Sequence, residues 1–232
     1  MSILPVYLML VAMICLALTV RTWRKGALLY TEVLAVCGVL LALAVWSIVL
    51  TLLGLKDIHI QLMQTIPLLW QAFVPMFIWS LPFALLPTFR RALWQIAETT
   101  PAHWFVAIQV LCIGAIGGIV KGLQGEIQSD YVFWIGIPDF LFGLSALVVA
   151  WLVWRRQIKH GLLISWNLVG FALIVLPTFI PMTYWMTEPG FEFIFEFPMV
   201  LAPGLVVSLL ISLNLLQAWV TFKQKSQLQG AV

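Results

Sequence analysis

Long apolar runs separated by short polar segments make up most of the 232-residue chain. The runs are continuous rather than alternating, and each is close to the roughly 20 residues that a helix needs to cross a bilayer. The pattern therefore predicts an all-α polytopic membrane protein, a bundle of seven transmembrane helices. The predicted spans are Leu4–Val20, Leu28–Leu55, Met63–Leu86, His103–Val120, Tyr131–Trp154, Leu162–Met186 and Pro198–Val220.

The composition also indicates a membrane protein. Hydrophobic residues make up 63% of the chain and charged residues only 9%, whereas a soluble domain of this size needs far more polar surface. The first basic residues, Arg21, Arg24 and Lys25, follow the first apolar run, so we expect a retained span rather than a cleaved signal peptide. Basic residues gather at the ends of the spans, which argues against a nucleic-acid partner and leaves the lipid bilayer as the expected surroundings.

The distribution of basic residues predicts the topology. One face carries only Lys56 and Lys121. By the positive-inside rule that face is outside, as is the N-terminus, and the C-terminus is cytoplasmic. We expect a single membrane domain over residues 1–222 and a short polar cytoplasmic tail over residues 223–232. The opposite face carries Arg21, Arg24, Lys25, Arg90, Arg91, Arg155, Arg156, Lys159, Lys223 and Lys225.

Asp139 is the only acidic residue deep inside an apolar run. An acidic group at membrane depth costs several kcal/mol unless it is paired or hydrated, and it is a functional-site hypothesis by default. Gly136, Gly143 and Ala146 recur with Asp139 at three- and four-residue spacing, which predicts that the carboxylate faces a neighbouring helix rather than lipid. Structural pairing and a role in ligand or proton binding both remain open for it.

Three other polar residues are candidates to support Asp139. Gln71 shares a helical face with two prolines and should look inward. Asn167 lies on a face with Gly170 and Pro177, where helix–helix hydrogen bonding is its expected role. Lys121, at the outer end of the fourth span, could approach Asp139 through the hairpin that follows it. Together these residues predict a site for a ligand or a proton.

Prolines in the outer half-spans favour a cavity that opens outward, because broken helices are tolerated at depth where freed carbonyls face protein or water. The alternative is the general abundance of proline in membrane helices. The alternating loop Thr187–Pro198 could cover such a cavity as a lid or lie among the lipid headgroups. The sequence thus favours a protein that binds or transports a small or amphipathic ligand. The prolines are Pro67, Pro75, Pro138, Pro177, Pro181, Pro198 and Pro203.

Glycines support a second hypothesis. Gly114, Gly118 and Gly122 recur at four-residue spacing in the fourth span, and the fifth span has a similar small-residue face. Such faces allow close helix approach. If they were exposed, the protein would be a non-catalytic scaffold, or an assembly subunit that binds a protein partner or a second copy of itself.

Enzymatic and cofactor sites have little support. The last span lacks the lysine that a retinal Schiff base needs, and the first basic residue after it is Lys223. His59 is predicted outside and His103 and His160 inside, so the three cannot share one metal site. The three cysteines show no CxxC spacing. We therefore expect no cofactor, no metal and no catalytic residues, and an enzyme acting on lipid ranks last among the hypotheses.

Four segments in the C-terminal part of the chain form a recognisable series. They are Pro101, Trp104 and Gln109; Gly136, Asp139, Gly143 and Ala146; Trp166, Asn167 and Gly170; and Phe197, Pro198, Leu201 and Pro203. In their order and spacing they resemble the segments of a family of uncharacterised bacterial seven-span integral membrane proteins. This resemblance implies a multi-pass protein of the bacterial inner membrane and transfers no activity. The family often has a histidine where this chain has Asn214, and an acidic residue where it has Phe171 and Ala172.

Overall fold

The computed structural model describes residues 4–56, 58, 70–179 and 196–230. In these ranges the regular structure is helical, as predicted for an all-α protein. Eight helices of eight residues or more are labelled here in chain order. They are α1 (Leu4–Arg24), α2 (Tyr30–Leu55), α3 (Trp70–Leu85), α4 (Pro87–Thr99), α5 (Ala102–Leu123), α6 (Ser129–Trp154), α7 (His160–Phe179) and α8 (Val207–Gly230).

Within the described ranges, six helical segments are long and apolar enough to cross a membrane. One face of α2 illustrates this character, because Leu41, Val45, Ile48 and Leu52 are all more than half exposed at helical spacing. A stripe of exposed large apolar side chains is stable in lipid and not in water. The remaining candidate is the α3–α4 pair, which is bent by 100° at Leu86. The structure therefore supports a membrane protein with several spanning helices.

The chain divides into two compact units, and the first comprises Met1–Thr100 and Glu192–Leu209. Its apolar core includes Leu50 of α2, which packs against Val200 and Leu205. Gly204 comes so close to α2 that a Cβ atom there would lie 2.5 Å from the Leu50 side chain. Trp46 of α2 donates its indole N–H to the Gly204 carbonyl at 3.0 Å. The segment before α8 is thus fixed against α2 by apolar packing and one hydrogen bond.

Helix α4 was not predicted, since the third span was expected to end at Leu86 and lead into a connection. The break follows from Pro87, which lacks a backbone N–H, so Leu86 takes an extended conformation and a new helix begins. One face of α4 is apolar and buried, and Arg90 and Arg91 on the other are exposed. This pattern is typical of a helix that lies along a membrane surface. The buried residues are Phe89, Ala92, Leu93, Ile96 and Ala97.

Glu32 anchors α4 to the start of α2. Its Oε1 lies 3.1 Å from Nε of Arg91, and its Oε2 accepts the backbone N–H of Leu29 at 2.8 Å. This pairing arises because α4 turns back across the end of α2 and brings the Arg91 guanidinium to the carboxylate.

The second unit comprises Pro101–Phe191 and Leu210–Val232. It contains α5, α6, α7 and most of α8. Pro138 follows directly on a π-helical turn, Val132–Gly136, within α6. A proline cannot donate to the preceding turn and clashes with the carbonyl four residues before it, so the helix widens locally. The helix is therefore loosened just before Pro138 and continues unbroken to Trp154.

The C-terminal helix runs past the predicted end of the seventh span. It follows a π-helical turn, Ala202–Val206, and continues as α8 to Gly230, so Lys223 and Lys225 lie on the helix. The expectation of one membrane domain over residues 1–222 with a polar tail over residues 223–232 stays a prediction. The lid or headgroup role of Thr187–Pro198 falls largely outside the described residues.

Candidate functional site

Close contact between α5 and α6 organises the second unit. A Cβ atom at Gly143 of α6 would lie 2.5 Å from the backbone nitrogen of Ile113 and 2.9 Å from the carbonyl carbon of Cys112. Only glycine allows this approach. The glycine face predicted for the fifth span is therefore occupied by α5 of the same chain at Gly143, whereas Gly114 and Gly117 of α5 have open space beside them.

An apolar layer lies below this contact. Val106 of α5, Ala146 of α6 and Leu163 of α7 form one buried cluster, and Trp166 packs against it. Val106 and Ala146 are completely buried, which fixes the three helices at one level. Residues three or four positions further along the same faces must lie one helical turn away from this layer.

Three buried amides lie beyond this apolar layer. Gln109 follows Val106 by one turn on α5, and Asn167 follows Leu163 by one turn on α7. Asn214 of α8 is level with the following turn of α7, because its Oδ1 lies 2.9 Å from where a Cβ atom of Gly170 would be. The side chains of Gln109, Asn167 and Asn214 are all 0% exposed. We call these three residues the amide cluster.

The orientation of the two asparagines is set by their own helices. Nδ2 of Asn167 donates to the Leu163 carbonyl at 2.8 Å, and Nδ2 of Asn214 donates to the Leu210 carbonyl at 3.0 Å. A carbonyl oxygen only accepts hydrogen bonds, so the amide nitrogen must face it and the amide oxygen must point away. No hydrogen bond from the described residues reaches either Oδ1 atom, and neither amide atom of Gln109 has one.

Aromatic side chains close the space around the asparagines. The Phe142 ring fills the place where a Cβ atom of Gly170 would be. Phe142 stacks on Trp166 at a centroid distance of 4.6 Å, and Trp166 donates its indole N–H to Oγ of Ser145 at 3.0 Å. Both rings are therefore held by neighbours on α6 and α7, and Phe142 lies beside Asn214 at Gly170.

Asp139 lies one turn above Gly143 on α6 and is half-buried. In the part of the chain that the structure describes, no hydrogen bond or ion pair to its carboxylate is present. Gly143 meets Cys112 and Ile113 of α5, so Asp139 lies one helical turn beyond this contact. Gln109 lies one turn before Cys112 on α5, on the other side of the same contact.

Lys121 and Gln71 are the other two predicted site residues. Lys121 pairs with Glu126, Nζ to Oε2 at 3.0 Å, and both side chains are 54% exposed, so the structure gives the ammonium a partner other than Asp139. Gln71 is completely buried but belongs to the first unit, whereas Asp139 and Asn167 belong to the second. Asp139 and Asn167 thus belong to the same unit, as do Gln109 and Asn214.

Gln109 and Asn214 were not assigned to the site from the sequence. The available signal was their residue type within apolar runs. Their burial and the direction of their amide oxygens depend on the partner helices, which a single sequence does not show. Among the described residues, no group of three or more His, Cys, Asp or Glu side chains could hold a metal ion.

Comparisons with protein-family models, with curated proteins and with solved structures give no match.

Proposed function

We propose that the chain crosses the bacterial inner membrane seven times, with its N-terminus outside and its C-terminus in the cytoplasm. The contact that supports seven crossings is between the hydroxyls of Thr22 and Thr99, which lie 3.0 Å apart. Helix α2 begins close to the Thr22 end of α1 and runs away from it. The last turn of α4, with Thr99, lies beside Thr22. The chain between them must therefore return through the membrane, and α3 is the apolar helix available for it.

The proposed orientation rests on charge. The end of α1, the exposed face of α4 and the connection after α6 carry basic clusters, and the positive-inside rule puts these in the cytoplasm. Helix α4 then lies along the inner surface with Arg90 exposed to the headgroups. The family resemblance described above agrees with this topology and suggests the bacterial inner membrane.

For the activity, we infer that the protein binds or transports a small or amphipathic ligand through a cavity that faces outward. One observation carries this proposal, namely a half-buried carboxylate at Asp139 with no hydrogen bond or ion pair from the described residues. An ionisable group at membrane depth is costly unless something pairs with it, so a ligand or a proton is its proposed partner. Asp139 would be the polar anchor, and Asn167 would support it.

A role as a scaffold or partner subunit comes second. The observation in its favour is the open space beside Gly114 and Gly117, where another helix could approach. Against it, Gly122 and Gly143 are already packed by Val132 and by Ile113 of the same chain. The glycines that make the closest helix contacts therefore already pack against helices of the same chain.

Infrared difference spectroscopy on lipid-reconstituted protein would test the ligand proposal. Comparison of Asp139→Asn with wild type assigns the Asp139 carboxyl band, and Asp130→Asn, which removes an exposed carboxylate from the start of α6, is the matched control. We expect a band that responds to pH and exchanges with deuterated water. We also expect screened ligands to raise the melting temperature of wild type and Asp130→Asn but not of Asp139→Asn.

A carboxyl band that neither responds to pH nor exchanges would identify Asp139 as a buried structural group. That result would overturn the ligand proposal. The search would then turn to a protein partner, with crosslinking through cysteines placed at Gly114 and Gly117 as the next measurement.

A further inference from the structure

The last turns of α1 carry an open groove with a volume of about 480 Å³. This volume lies within the range of ligand sites, roughly 300–1,000 Å³. Ala17 and Val20 form its apolar part, and both side chains are exposed. Three cationic residues form the other part, one turn further along the same helix. The described residues that line the groove are Ala17, Val20, Arg21, Arg24 and Lys25.

Trp23 indicates the depth of the groove in the membrane. Its side chain is 48% exposed at the end of α1, and exposed tryptophans at the end of a span lie at the level of the headgroups. Arg24 therefore lies among the headgroups. Ala17 lies seven residues earlier, which is about 10 Å deeper along the helix. The groove thus runs from the headgroups into the acyl-chain region.

The charges of Arg24 and Lys25 are not used within the described part of the chain. Both side chains are exposed, and neither makes an ion pair or a hydrogen bond to a described residue. The helix end does not need them, because the carbonyls of Arg21, Thr22 and Trp23 accept backbone N–H groups from the three residues after Arg24. The helix dipole contributes only about half a negative charge here, less than three cations offset.

The carboxylates in this part of the first unit leave the groove positively charged. Glu32 is paired with Arg91, and Glu98 on α4 makes no ion pair with a described residue. The end of α1, the start of α2 and the whole of α4 carry five cationic side chains and two carboxylates. The excess of positive charge at this boundary attracts an anion.

We propose that the groove binds one anionic phospholipid. Guanidinium groups match the oxygens of a phosphate in pairs, and the Lys25 ammonium adds a point charge. Basic pockets beside spanning helices suit anionic headgroups for this reason. The small side chains of Ala17 and Val20 leave room for an acyl chain below the phosphate. A soluble phosphate would use only the cationic part, so the combination of both parts favours a lipid.

This site is separate from the proposed ligand anchor. It lies in the first unit, whereas Asp139 lies in the second. The inference therefore goes beyond the proposed function and does not depend on Asp139 holding a ligand. The proposed orientation adds that the lipid belongs to the cytoplasmic leaflet, which has a negative surface potential.

The test is lipid binding to the delipidated protein in a non-ionic detergent, measured by native mass spectrometry. Dioleoyl phosphatidylglycerol and dioleoyl phosphatidylcholine have the same acyl chains and differ in headgroup charge. We expect the first phosphatidylglycerol to bind at least about tenfold more tightly than the first phosphatidylcholine. Equal affinities for the two lipids would overturn the proposal.

A pair of charge variants then locates the headgroup. Arg24→Gln combined with Lys25→Gln should lower the phosphatidylglycerol affinity by about tenfold or more. Arg156→Gln combined with Lys159→Gln is the matched control, because it removes the same two charge types from exposed positions after α6. The control should bind like wild type. An equal loss in both double variants would mean general attraction to positive charge and would overturn the site.

A second pair tests the acyl chain without changing any charge. Ala17→Trp fills the apolar part of the groove, and Ala12→Trp adds the same ring at an exposed position of α1 outside the groove. We expect only Ala17→Trp to weaken phosphatidylglycerol binding. Unchanged binding in Ala17→Trp, together with displacement of the lipid by glycerol 3-phosphate, would mean a soluble phosphate ligand and overturn the lipid assignment. If one variant pair fails to fold, the other pair decides.

Discussion

Arg91 of α4 and Glu32 of α2 form an ion pair in which the carboxylate side chain is 2% exposed and the guanidinium side chain 65% exposed. Removing only the arginine leaves a buried negative charge with the Leu29 N–H as its remaining described hydrogen-bond donor. We expect Arg91→Ala to lower the free energy of unfolding by about 1–3 kcal/mol, less than for a fully buried pair because solvent reaches the guanidinium.

The control for this pair is Arg90→Ala, which removes the same charge from the neighbouring exposed position of α4. Thermal unfolding of both variants in the same detergent measures the difference. Equal melting temperatures would show that the Glu32–Arg91 contact contributes no stability of its own.

Gly143→Ala should destabilise the protein although alanine favours helices. The added Cβ atom would lie 2.5 Å from the backbone nitrogen of Ile113, so α5 and α6 must move apart. Overpacking of this kind costs about 1–3 kcal/mol, which exceeds the roughly 1 kcal/mol gained in helix propensity. Gly117→Ala on α5, where nothing lies within 4 Å of the new Cβ atom, should leave stability unchanged or raise it. Urea or thermal unfolding that ranks the two variants in the opposite order would contradict the close approach.

Arg156→Gly should stabilise the connection between α6 and α7. Arg156 has a φ of 56°, a left-handed conformation that costs a non-glycine residue roughly 1–2 kcal/mol. Gly26 has a φ of 71° at the corresponding position after α1. Gly26 and the next residue donate backbone hydrogen bonds to the last turn of α1, as Arg156 and the residue after it do to the last turn of α6. We expect Arg156→Gly to raise the free energy of unfolding by about 1 kcal/mol and Gly26→Ala to lower it by a similar amount.

The adjacent arginine provides the comparison for this connection. Arg155→Gly removes the same charge at a φ of −75°, where glycine gains nothing, and it also removes a cation–π contact with Trp154. The melting temperature of Arg155→Gly should therefore fall below that of wild type. A rise in both variants would mean that reduced positive charge, rather than backbone conformation, is responsible.

The proposed seven crossings predict which side each connection faces. In a background without the three native cysteines, single cysteines at Lys25, Glu98 and Gln124 offer exposed sites after α1, on α4 and after α5. A membrane-impermeant maleimide added to intact cells should label the Gln124 position and neither of the others until the membrane is opened. Labelling at Glu98 without labelling at Lys25 would mean that α3 does not cross, and that the topology has six spans.

The sequence was sufficient to predict the helical class and the approximate positions of most spans, because membrane helices must be long and apolar whatever they pack against. It also indicated that Asp139 shares a face with Gly143, since helical periodicity alone fixes that relation. Helix α4 was missed although its apolar residues recur at three- and four-residue spacing. Its surface orientation depends on a bend at Leu86 and on contact with α2, and neither is visible in local composition.

The candidate site was predicted only in part for a similar reason. A polar residue in an apolar run is conspicuous, and Asn167 was identified in this way. Whether both polar atoms of an amide have hydrogen-bond partners depends on whether its nitrogen or its oxygen faces the backbone of its own helix. Asn214 and Gln109 became site residues only when burial and hydrogen bonds could be assigned to each atom.

Helix α8 carries one of the buried asparagines and also the last basic residues of the chain. It runs from Val207 to Gly230 without a proline, so Asn214 and Ser226 belong to one stiff rod. Any tilt or rotation of α8 at Asn214 would be transmitted mechanically to Ser226, where a spin label can be attached in place of the exposed side chain. A label at the far end of α8 would therefore report movement of the helix at the buried Asn214.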